Sequence, residues 1–323
     1  MKGAALWLAA FFLVTASFTA EALAANAERG WHGNYFPNVV LTTQDGKKVR
    51  FYDDLIRGKT VSINFIYTSC GDICPLDTAQ LRQVHALLGD RVGKDIFMYS
   101  ISIDPERDTP AALKRYMRSF DVGNGWTFLT GKKADIELLQ KRLGIRPVEL
   151  GKLREHDTRL MMGNERNGSW LKRSPYDDPK ILADLLGEAL TNYATGHGGS
   201  SLPYDRAVEV GHVSRGSYLY RTRCDSCHTI GGGDRLGPDL AGVVASRPKE
   251  WLTRWLKEPD KMLAEGDPTA IALKKRFRNL PMPNLGLNDI DANALIDFMA
   301  EQDKLRAAPK AASATDKASP KQP

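Results

Sequence analysis

Short apolar runs alternate with segments of helical spacing along the first part of the chain, and this pattern predicts strands separated by helices. The segment FPNVVLTTQDGKKVRFYDDL predicts two short strands around a turn at Asp45 and Gly46, and KTVSINFIY predicts a buried strand. Helices are predicted from PLDTAQLRQVHALLGD, DTPAALKRYMRSF and KKADIELLQKRLG, and further strands from IFMYSISID, WTFLTG and DTRLMMGN. Strands that alternate with helices in this way predict a three-layer α/β sandwich with a central sheet.

The pattern changes at residues 196–210, where glycine, serine and proline predict a linker between two domains. Beyond the linker, apolar residues recur at helical spacing in AVEVGHVSRGSYLYRTRC, PKEWLTRWLKEP and NDIDANALIDFMAEQ. We therefore expect an α/β domain over 29–195 and a small all-α domain over 211–305. The tail, 306–323, has almost no large apolar residue, and we expect it to be disordered.

The N-terminus carries the pattern of an export signal. Lys2 precedes an uncharged apolar stretch, and the small residues of EALAANA follow, with Ala22 and Ala24 placed for cleavage. The predicted signal covers 1–24, and export predicts a periplasmic protein in an oxidising compartment. The apolar stretch is near the lower limit for spanning a bilayer, so an uncleaved anchor and membrane association through the N-terminus stay open as an alternative.

Length and charge add two constraints. The chain has 323 residues, which suggests about two domains, and a formal net charge of +6. The positive residues are mixed with acidic ones and form no clustered basic face, so we expect no binding to nucleic acid. A mildly basic surface is compatible with an anionic membrane or an acidic redox partner.

Two of the four cysteines, Cys224 and Cys227, precede His228 in the sequence CDSCH. This is the attachment pattern of c-type haem, in which both thiols form thioethers with the porphyrin and the histidine ligates iron. A separation of about one helical turn allows both thiols to reach the macrocycle. A structural disulfide or a zinc site is disfavoured, because zinc requires four ligands.

The segments that follow CDSCH strengthen this interpretation. Together with GPDL and MPNL, the motif resembles the class I cytochrome c domain. The resemblance implies that Pro238 orients the proximal histidine and that Met282 is the sixth iron ligand, with Met262 and Met299 as the competing methionines. A histidine and methionine pair suits an electron carrier better than an oxygen-activating centre.

The other cysteines, Cys70 and Cys74, follow the predicted buried strand in NFIYTSCGDICPLDT. Pro75 opens a helix directly behind Cys74, so we expect the positive end of the helix dipole to favour a thiolate there. A disulfide, a redox pair and a metal site all fit this spacing. Soft thiolates select copper(I), which an imidazole completes well, and the histidines left for this role are His32 and His156.

The motifs YTSCGDICPLDTAQL, SISIDPERDTPAALKRY and WTFLTG, with the late histidine, resemble the Sco/SenC family of thioredoxin-fold copper chaperones. The resemblance implies a thioredoxin-like domain in which Cys70, Cys74 and His156 bind copper. Members of that family deliver copper to the binuclear copper centre of cytochrome c oxidase or keep its cysteines reduced. Two departures lie near the histidine: Glu155 stands where the family has Asp, and GNERNG replaces the usual DPDG turn.

Smaller features receive structural interpretations. Alternating residues of a strand usually fill a core, so we expect Met161 and Met162 to be packed there and not to bind metal. Asp104 and Pro105, in SIDPERDTP, are expected to shape a turn from a strand to a helix.

Three functions are compatible with these observations. The first is a periplasmic copper-binding protein for cytochrome c oxidase assembly, whose haem c exchanges electrons with copper or with the thiols. Its expected partners are the copper-centre subunit of the oxidase and a periplasmic electron-transfer protein. The second is an enzyme, a thiol-disulfide oxidoreductase with Cys70 and Cys74 as its catalytic pair. The third is a plain c-type electron carrier, and whether the chain is an enzyme stays open.

Overall fold

The computed structural model describes residues 35–71, 74–147, 158–191 and 213–307. The chain divides into two compact units, Met1–Glu209 with Lys274–Pro283, and Val210–Leu273 with Asn284–Pro323. The predicted signal (1–24) and linker (196–210) lie outside the described residues. Within the described ranges, no helix has the length and apolar character needed to cross a membrane.

The first unit contains a seven-stranded sheet with the order β2-β1-β5-β4-β3-β6-β7. The strands are β1 (Val40–Thr43), β2 (Lys48–Arg50), β3 (Thr60–Ile66), β4 (Ile96–Ser102), β5 (Trp126–Gly131), β6 (Leu160–Asn164) and β7 (Ser169–Arg173). The three central strands β3, β4 and β5 are parallel, and the outer strands pair antiparallel. The predicted hairpin at the start of the domain is therefore β1 and β2.

Helices connect the strands of the first unit. They are α1 (Cys74–Leu88), α2 (Pro110–Ser119), α3 (Lys133–Arg142) and α4 (Pro179–Asp184), and π-helical turns cover Phe51–Ile56 and Leu185–Ala189. The α2 helix begins where the sequence places a cap, because the Thr109 side chain accepts a hydrogen bond from the Ala112 N–H and Pro110 follows it. The alternation of strands and helices predicted from the sequence is confirmed.

The central strand β3 explains why the first cysteine is buried. All seven of its residues, TVSINFI, are buried, as expected for a strand between two parallel or antiparallel neighbours in the middle of a sheet. The polar residue Asn64 on this strand accepts a 2.7 Å hydrogen bond from the Ser100 hydroxyl on β4. The chain therefore leaves β3 in the interior of the domain, and Cys70, shortly after the end of the strand, is buried.

The second unit is helical. Its helices are α5 (Arg215–Leu219), α6 (Val243–Ser246), α7 (Lys249–Lys257), α8 (Pro259–Ala264) and α10 (Asp289–Ala307), and α9 (Pro268–Arg276) spans the boundary with the segment Lys274–Pro283. The last helix continues to Ala307. Residues 306 and 307, which were predicted to begin the disordered tail, are therefore helical. Residues 308–323 lie outside the described part of the chain.

The helices α5 and α10 cross at Gly216. A Cβ atom at this position would lie 2.1 Å from the carbonyl oxygen of Ala294 and 2.7 Å from Cβ of Phe298. Because the nearest atom belongs to a helix backbone, it cannot move aside as a flexible side chain would. Glycine is therefore required at this crossing.

Asp239 organises the loop between the two cysteines of the second unit and α6. Its carboxylate accepts backbone hydrogen bonds from Gly231 (2.6 Å), Gly233 (2.7 Å) and Ala241 (2.9 Å). Burial raises its pKa, but these three N–H donors outweigh burial and lower the pKa of Asp239 to about 2. The charged carboxylate therefore stabilises the folded loop.

We predict that Gly216→Ala lowers the free energy of unfolding by about 1–3 kcal/mol, because the added methyl group forces α5 away from α10. Ser217→Ala, on the same helix and half-buried, serves as the control and is expected to change stability by less than about 0.5 kcal/mol. Urea denaturation of the two variants measures both values. Equal stability of Gly216→Ala and the wild type would show that the two helices do not require this contact.

We predict that Asp239→Asn destabilises the fold by an amount that depends on pH in a defined direction. The folded pKa of about 2 is below the ordinary 3.8, so the carboxylate stabilises the fold above about pH 4 and this contribution is lost as pH falls through about 2. Allowing for solvent screening, the variant should be about 1 kcal/mol less stable than the wild type at about pH 5, with a smaller difference at about pH 2.

The matched control for this measurement is Asp297→Asn, an exposed residue of α10. Asp297→Asn should have nearly the same free energy of unfolding as the wild type at both pH values. A loss of stability in Asp239→Asn that is the same at both pH values would contradict the role given to its charge.

Candidate functional site

The first two cysteines lie together where β3 ends and α1 begins. A turn over 67–70 is closed by a 3.3 Å hydrogen bond from the Cys70 N–H to the Tyr67 carbonyl. The Cys74 N–H then donates to the sulfur of Cys70, at 3.4 Å. Cys70 is 7% exposed and Cys74 is fully buried. The structure therefore places the two sulfur-bearing residues in direct contact inside the domain.

Burial determines the charge of the Cys74 thiol. It raises the pKa of Cys74 well above the ordinary value, and the hydrogen bond with the Cys70 side chain raises it further. A backbone hydrogen bond from Tyr67 acts in the opposite direction and is weaker. The prediction that the helix dipole makes Cys74 a thiolate is wrong, because loss of hydration outweighs the dipole at this fully buried site.

Residues that sequence reasoning missed support the start of α1. The Tyr116 hydroxyl donates to the Cys74 carbonyl (3.2 Å) and lies 2.8 Å from the Thr78 hydroxyl. Asp77 is 1% exposed, and burial raises the pKa of its carboxyl well above 3.8, although a hydrogen bond from Tyr176 opposes this. In the sequence, the polar residues Asp77 and Thr78 of CPLDT were the signal from which a polar environment beside Cys74 could have been predicted.

Asp108 binds the turn that precedes Cys70. It accepts hydrogen bonds from the Thr68 N–H (3.0 Å), the Thr68 hydroxyl (2.5 Å) and the Ser102 hydroxyl (2.6 Å). Asp104 lies in the same segment, where its carbonyl accepts from the N–H groups of Arg107 and Asp108. The prediction that Asp104 belongs to a turn from strand to helix is confirmed, whereas the part played by Asp108 was missed.

The predicted third ligand, His156, and its neighbour Glu155 lie outside the described residues, as does His32. Within 35–71, 74–147, 158–191 and 213–307, no group of three or more His, Cys, Asp or Glu residues is placed to hold a metal ion. The assignment of His156 to the cysteine pair stays a prediction. Met161 and Met162 are 1% and 0% exposed, so both are packed in the core as expected.

The second pair of cysteines forms one helical turn. The N–H groups of Cys227 and His228 both donate to the Cys224 carbonyl, at 3.0 and 2.9 Å. The Nδ1 atom of His228 lies 2.9 Å from the Pro238 carbonyl oxygen. Because a carbonyl can only accept, Nδ1 carries the proton and Nε2 keeps its lone pair. The two thiols and a lone-pair nitrogen are thus held in one short segment.

The environment of His228 favours the neutral ring. Burial lowers its pKa below the ordinary 6.5, although the hydrogen bond to Pro238 opposes this shift. Gly237 packs so closely against the ring that a Cβ there would lie 2.4 Å from Cε1 of His228. Burial also raises the pKa of Cys224 to about 12. A neutral, oriented imidazole is the form that ligates a metal.

The three candidate methionines differ in burial. Met262 and Met299 are 1% and 4% exposed and belong to the packed core. Met282 is half-buried and lies in the stretch 280–288, which has no regular secondary structure. Its side chain is therefore more available for a ligand than the side chains of its two competitors. The role of Met282 as an axial ligand stays a prediction.

Two family models match separate parts of the chain. The SCO1/SenC family model matches residues 33–179, and the Cytochrome c family model matches residues 213–303. These two matches and the observed elements confirm the predicted fold, a thioredoxin-like α/β domain followed by an all-α cytochrome c domain.

Three relatives each match less than half of this chain. The SCO1 protein homolog of Bacillus subtilis is 28% identical over 152 residues, which are 44% of this chain and 76% of that protein. A SCO2-like protein of Rickettsia felis is 39% identical over 144 residues, 42% of this chain and 68% of that protein. The SCO2-like protein RC0895 of Rickettsia conorii is 40% identical over 70 residues, 22% of this chain and only 34% of that protein.

Among solved structures, ScoI of Bradyrhizobium japonicum with copper bound is similar to this chain. It is 28% identical, the match covers 46% of this chain and 94% of ScoI, and the TM-score is 0.39. From the family model over 33–179, the extent of the Rickettsia felis match and the model over 213–303, we conclude that the chain belongs to the SCO1/SenC family and carries a C-terminal cytochrome c domain.

Proposed function

We propose that this chain is a periplasmic copper-binding protein that assists assembly of the copper centre of cytochrome c oxidase. We further propose that a covalent haem c in its second domain exchanges electrons with the copper or with the thiol pair. The observation that carries the proposal is the contact between Cys74 N–H and the Cys70 sulfur, 3.4 Å, in a chain that also holds the CDSCH turn.

The cysteine pair fits a copper ion as cargo. The two side chains converge at one point, and sulfur ligands in a buried site prefer copper(I) to harder divalent cations. The raised pKa of Cys74 means that copper binding would release protons from the site. Cys70 and Cys74 supply two ligands, and His156 is the proposed third, by its position in the Sco/SenC pattern.

The second domain fits haem c. Cys224 and Cys227 would form the thioethers, and His228 presents Nε2 because Nδ1 is bound to the Pro238 carbonyl. Met282, which is half-buried, is the proposed second iron ligand, by its position in the cytochrome c pattern. When bound, haem would supply transfer of one electron at a time.

The pairing of domains favours copper over thiols as the electron partner. Copper cycles between two states by a single electron, as haem iron does, whereas opening a Cys70–Cys74 disulfide takes two electrons. The chain's electron partner outside the molecule would be a periplasmic protein, and the copper acceptor would be the copper-centre subunit of the oxidase.

A second candidate function is thiol-disulfide exchange with the cysteines of the oxidase copper centre. The adjacency of Cys70 and Cys74 favours it, since the same contact that permits two metal bonds permits a disulfide. In this function the chain would be an oxidoreductase with these two residues as the catalytic pair.

We predict that the haem-loaded wild type binds one equivalent of copper(I), and that Cys70→Ser and Cys74→Ser each lower copper(I) affinity by at least about tenfold, because one soft ligand is lost. His156→Ala should weaken binding by about 10–100-fold. Competition with a chromogenic copper(I) chelator measures these affinities.

The matched control is His85→Ala. His85 is half-buried on α1, where it stacks on Trp126 and binds the Asn124 carbonyl at 2.8 Å. No described contact joins it to the cysteines, so its loss should leave copper affinity unchanged. Equal copper loading of Cys70→Ser and the wild type would contradict the copper site. In cells, a normal oxidase copper content with Cys70→Ser would favour the plain electron carrier.

We predict that Met282→Ala lowers the midpoint potential of the haem, since a thioether ligand raises it. The expected shift is on the order of 100 mV, a fraction of the roughly 0.8 V range set by axial ligands. Met262→Leu and Met299→Leu, both in the packed core, are controls that should keep the potential and the visible spectrum. A loss of the methionine-ligated spectrum in either control, with Met282→Ala unchanged, would overturn the assignment.

A further inference from the structure

We propose that Asp108 is a positioning residue for the cysteine pair, holding the turn over 67–70 so that Cys70 meets Cys74. The inference rests on the proposed function, because it assigns Asp108 a role in copper affinity and in the stability of the Cys70–Cys74 disulfide. Asp108 itself does not touch either sulfur in any described contact.

The Asp108 carboxylate uses both of its oxygens. One oxygen accepts from the Thr68 hydroxyl at 2.5 Å, and the other accepts from the Thr68 N–H at 3.0 Å and from the Ser102 hydroxyl at 2.6 Å. All three donors are neutral, and Asp108 is 0% exposed. In the described part of the chain it has no ion-pair partner, so these three hydrogen bonds are what compensate its burial.

The hydrogen bonds to Thr68 reach Cys70 through the backbone. Thr68 lies in the middle of the turn over 67–70, and the bond that closes this turn, from Cys70 N–H to Tyr67 carbonyl, is long at 3.3 Å. The turn therefore needs a second restraint, which the two bonds from Thr68 to Asp108 supply. A shift of Thr68 would move the Cys70 sulfur away from the Cys74 N–H.

Asp108 is itself fixed by three elements. Its N–H donates to the Asp104 carbonyl at 2.9 Å, and the next residue, Thr109, caps α2. Ser102 ends β4, and just beyond it the Ile103 N–H donates to the Ile66 carbonyl at 2.8 Å. The carboxylate thus ties the end of β3 to the end of β4 and the start of α2, which makes its position rigid.

The carboxylate accepts all three hydrogen bonds, and its negative charge strengthens each of them. An amide of the same shape has no negative charge and turns its NH₂ group either toward the Thr68 hydroxyl or toward both the Thr68 N–H and the Ser102 hydroxyl. Asp108→Asn therefore weakens these hydrogen bonds without opening a cavity. The matched control is Glu165→Gln, because Glu165 is also buried and accepts from a backbone N–H (Gly58, 2.7 Å) and a hydroxyl (Tyr52, 2.9 Å).

Glu165 lies at the opposite end of β3 from the cysteines, since its N–H donates to the Lys59 carbonyl just before β3 begins. A general loss of stability would therefore appear in both variants. A loss of positioning would appear only in Asp108→Asn. The unfolding temperature of each variant measures its overall stability, and so separates a loss of stability from a loss of positioning.

The experiment uses the full haem-loaded chain and two readouts. The first is copper(I) affinity, and the second, without copper, is the equilibrium between the Cys70–Cys74 dithiol and glutathione. For Asp108→Asn we expect copper(I) affinity to fall about tenfold and the disulfide to become about tenfold less stable, which raises its potential by about 30 mV. Glu165→Gln should leave both equilibria unchanged, whatever its effect on the unfolding temperature.

Milder variants keep the proposal testable if Asp108→Asn does not fold. Thr68→Val and Ser102→Ala each remove one hydroxyl donor. We expect Thr68→Val to lower copper(I) affinity and disulfide stability by about threefold each, and Ser102→Ala to lower both by less. The positioning role would be overturned if copper(I) affinity and disulfide stability were unchanged in a folded Asp108→Asn or in Thr68→Val. Equal losses of both in Glu165→Gln would overturn it as well. A wild type that binds no copper while its disulfide still responds to Asp108→Asn would reject the proposed copper function and keep the positioning role.

Discussion

The contact between Cys74 N–H and the Cys70 sulfur is the constraint on which the first domain's chemistry depends. It exists because a fully buried strand, β3, ends at Ile66 and α1 begins at Cys74, with the turn over 67–70 between them. Burial excludes water from both thiols and keeps the Cys74 proton in place, since it raises the pKa of that thiol. A site of this kind is stable as a dithiol and loses its protons when a metal binds or when the pair is oxidised to a disulfide.

In the second domain, different hydrogen bonds hold the cysteines and the histidine in place. Its CDSCH turn is held by hydrogen bonds to the Cys224 carbonyl, and the ring of His228 is oriented by the Pro238 carbonyl. Asp239 gathers the glycine-rich loop that lies between these elements. The Pro238 carbonyl orients His228, and the Asp108 carboxylate binds Thr68 in the turn that contains Cys70. Hydrogen bonds of this kind orient the ligands of metal centres.

Much of this arrangement was predictable from the sequence. Periodicity and turn residues predicted the order of strands and helices, and the two cysteine motifs predicted where each cysteine pair lies in the fold. The thiolate at Cys74 was predicted wrongly, because a dipole can be inferred from Pro75 but the burial of a side chain depends on distant parts of the chain. Asp108 was missed for the same reason: only the parallel pairing of β3 with β4 brings it to Thr68.

The central claim is that copper at the cysteine pair and haem in the second domain exchange electrons within one chain. The most direct measurement adds one equivalent of copper(II), without oxygen, to the copper-free protein with fully reduced haem. We predict that the haem iron loses one electron, that the copper gains it and is retained as copper(I), and that Cys70→Ser reacts much more slowly. Haem that stays reduced in the wild type, or oxidation at the same rate in Cys70→Ser, would contradict the claim.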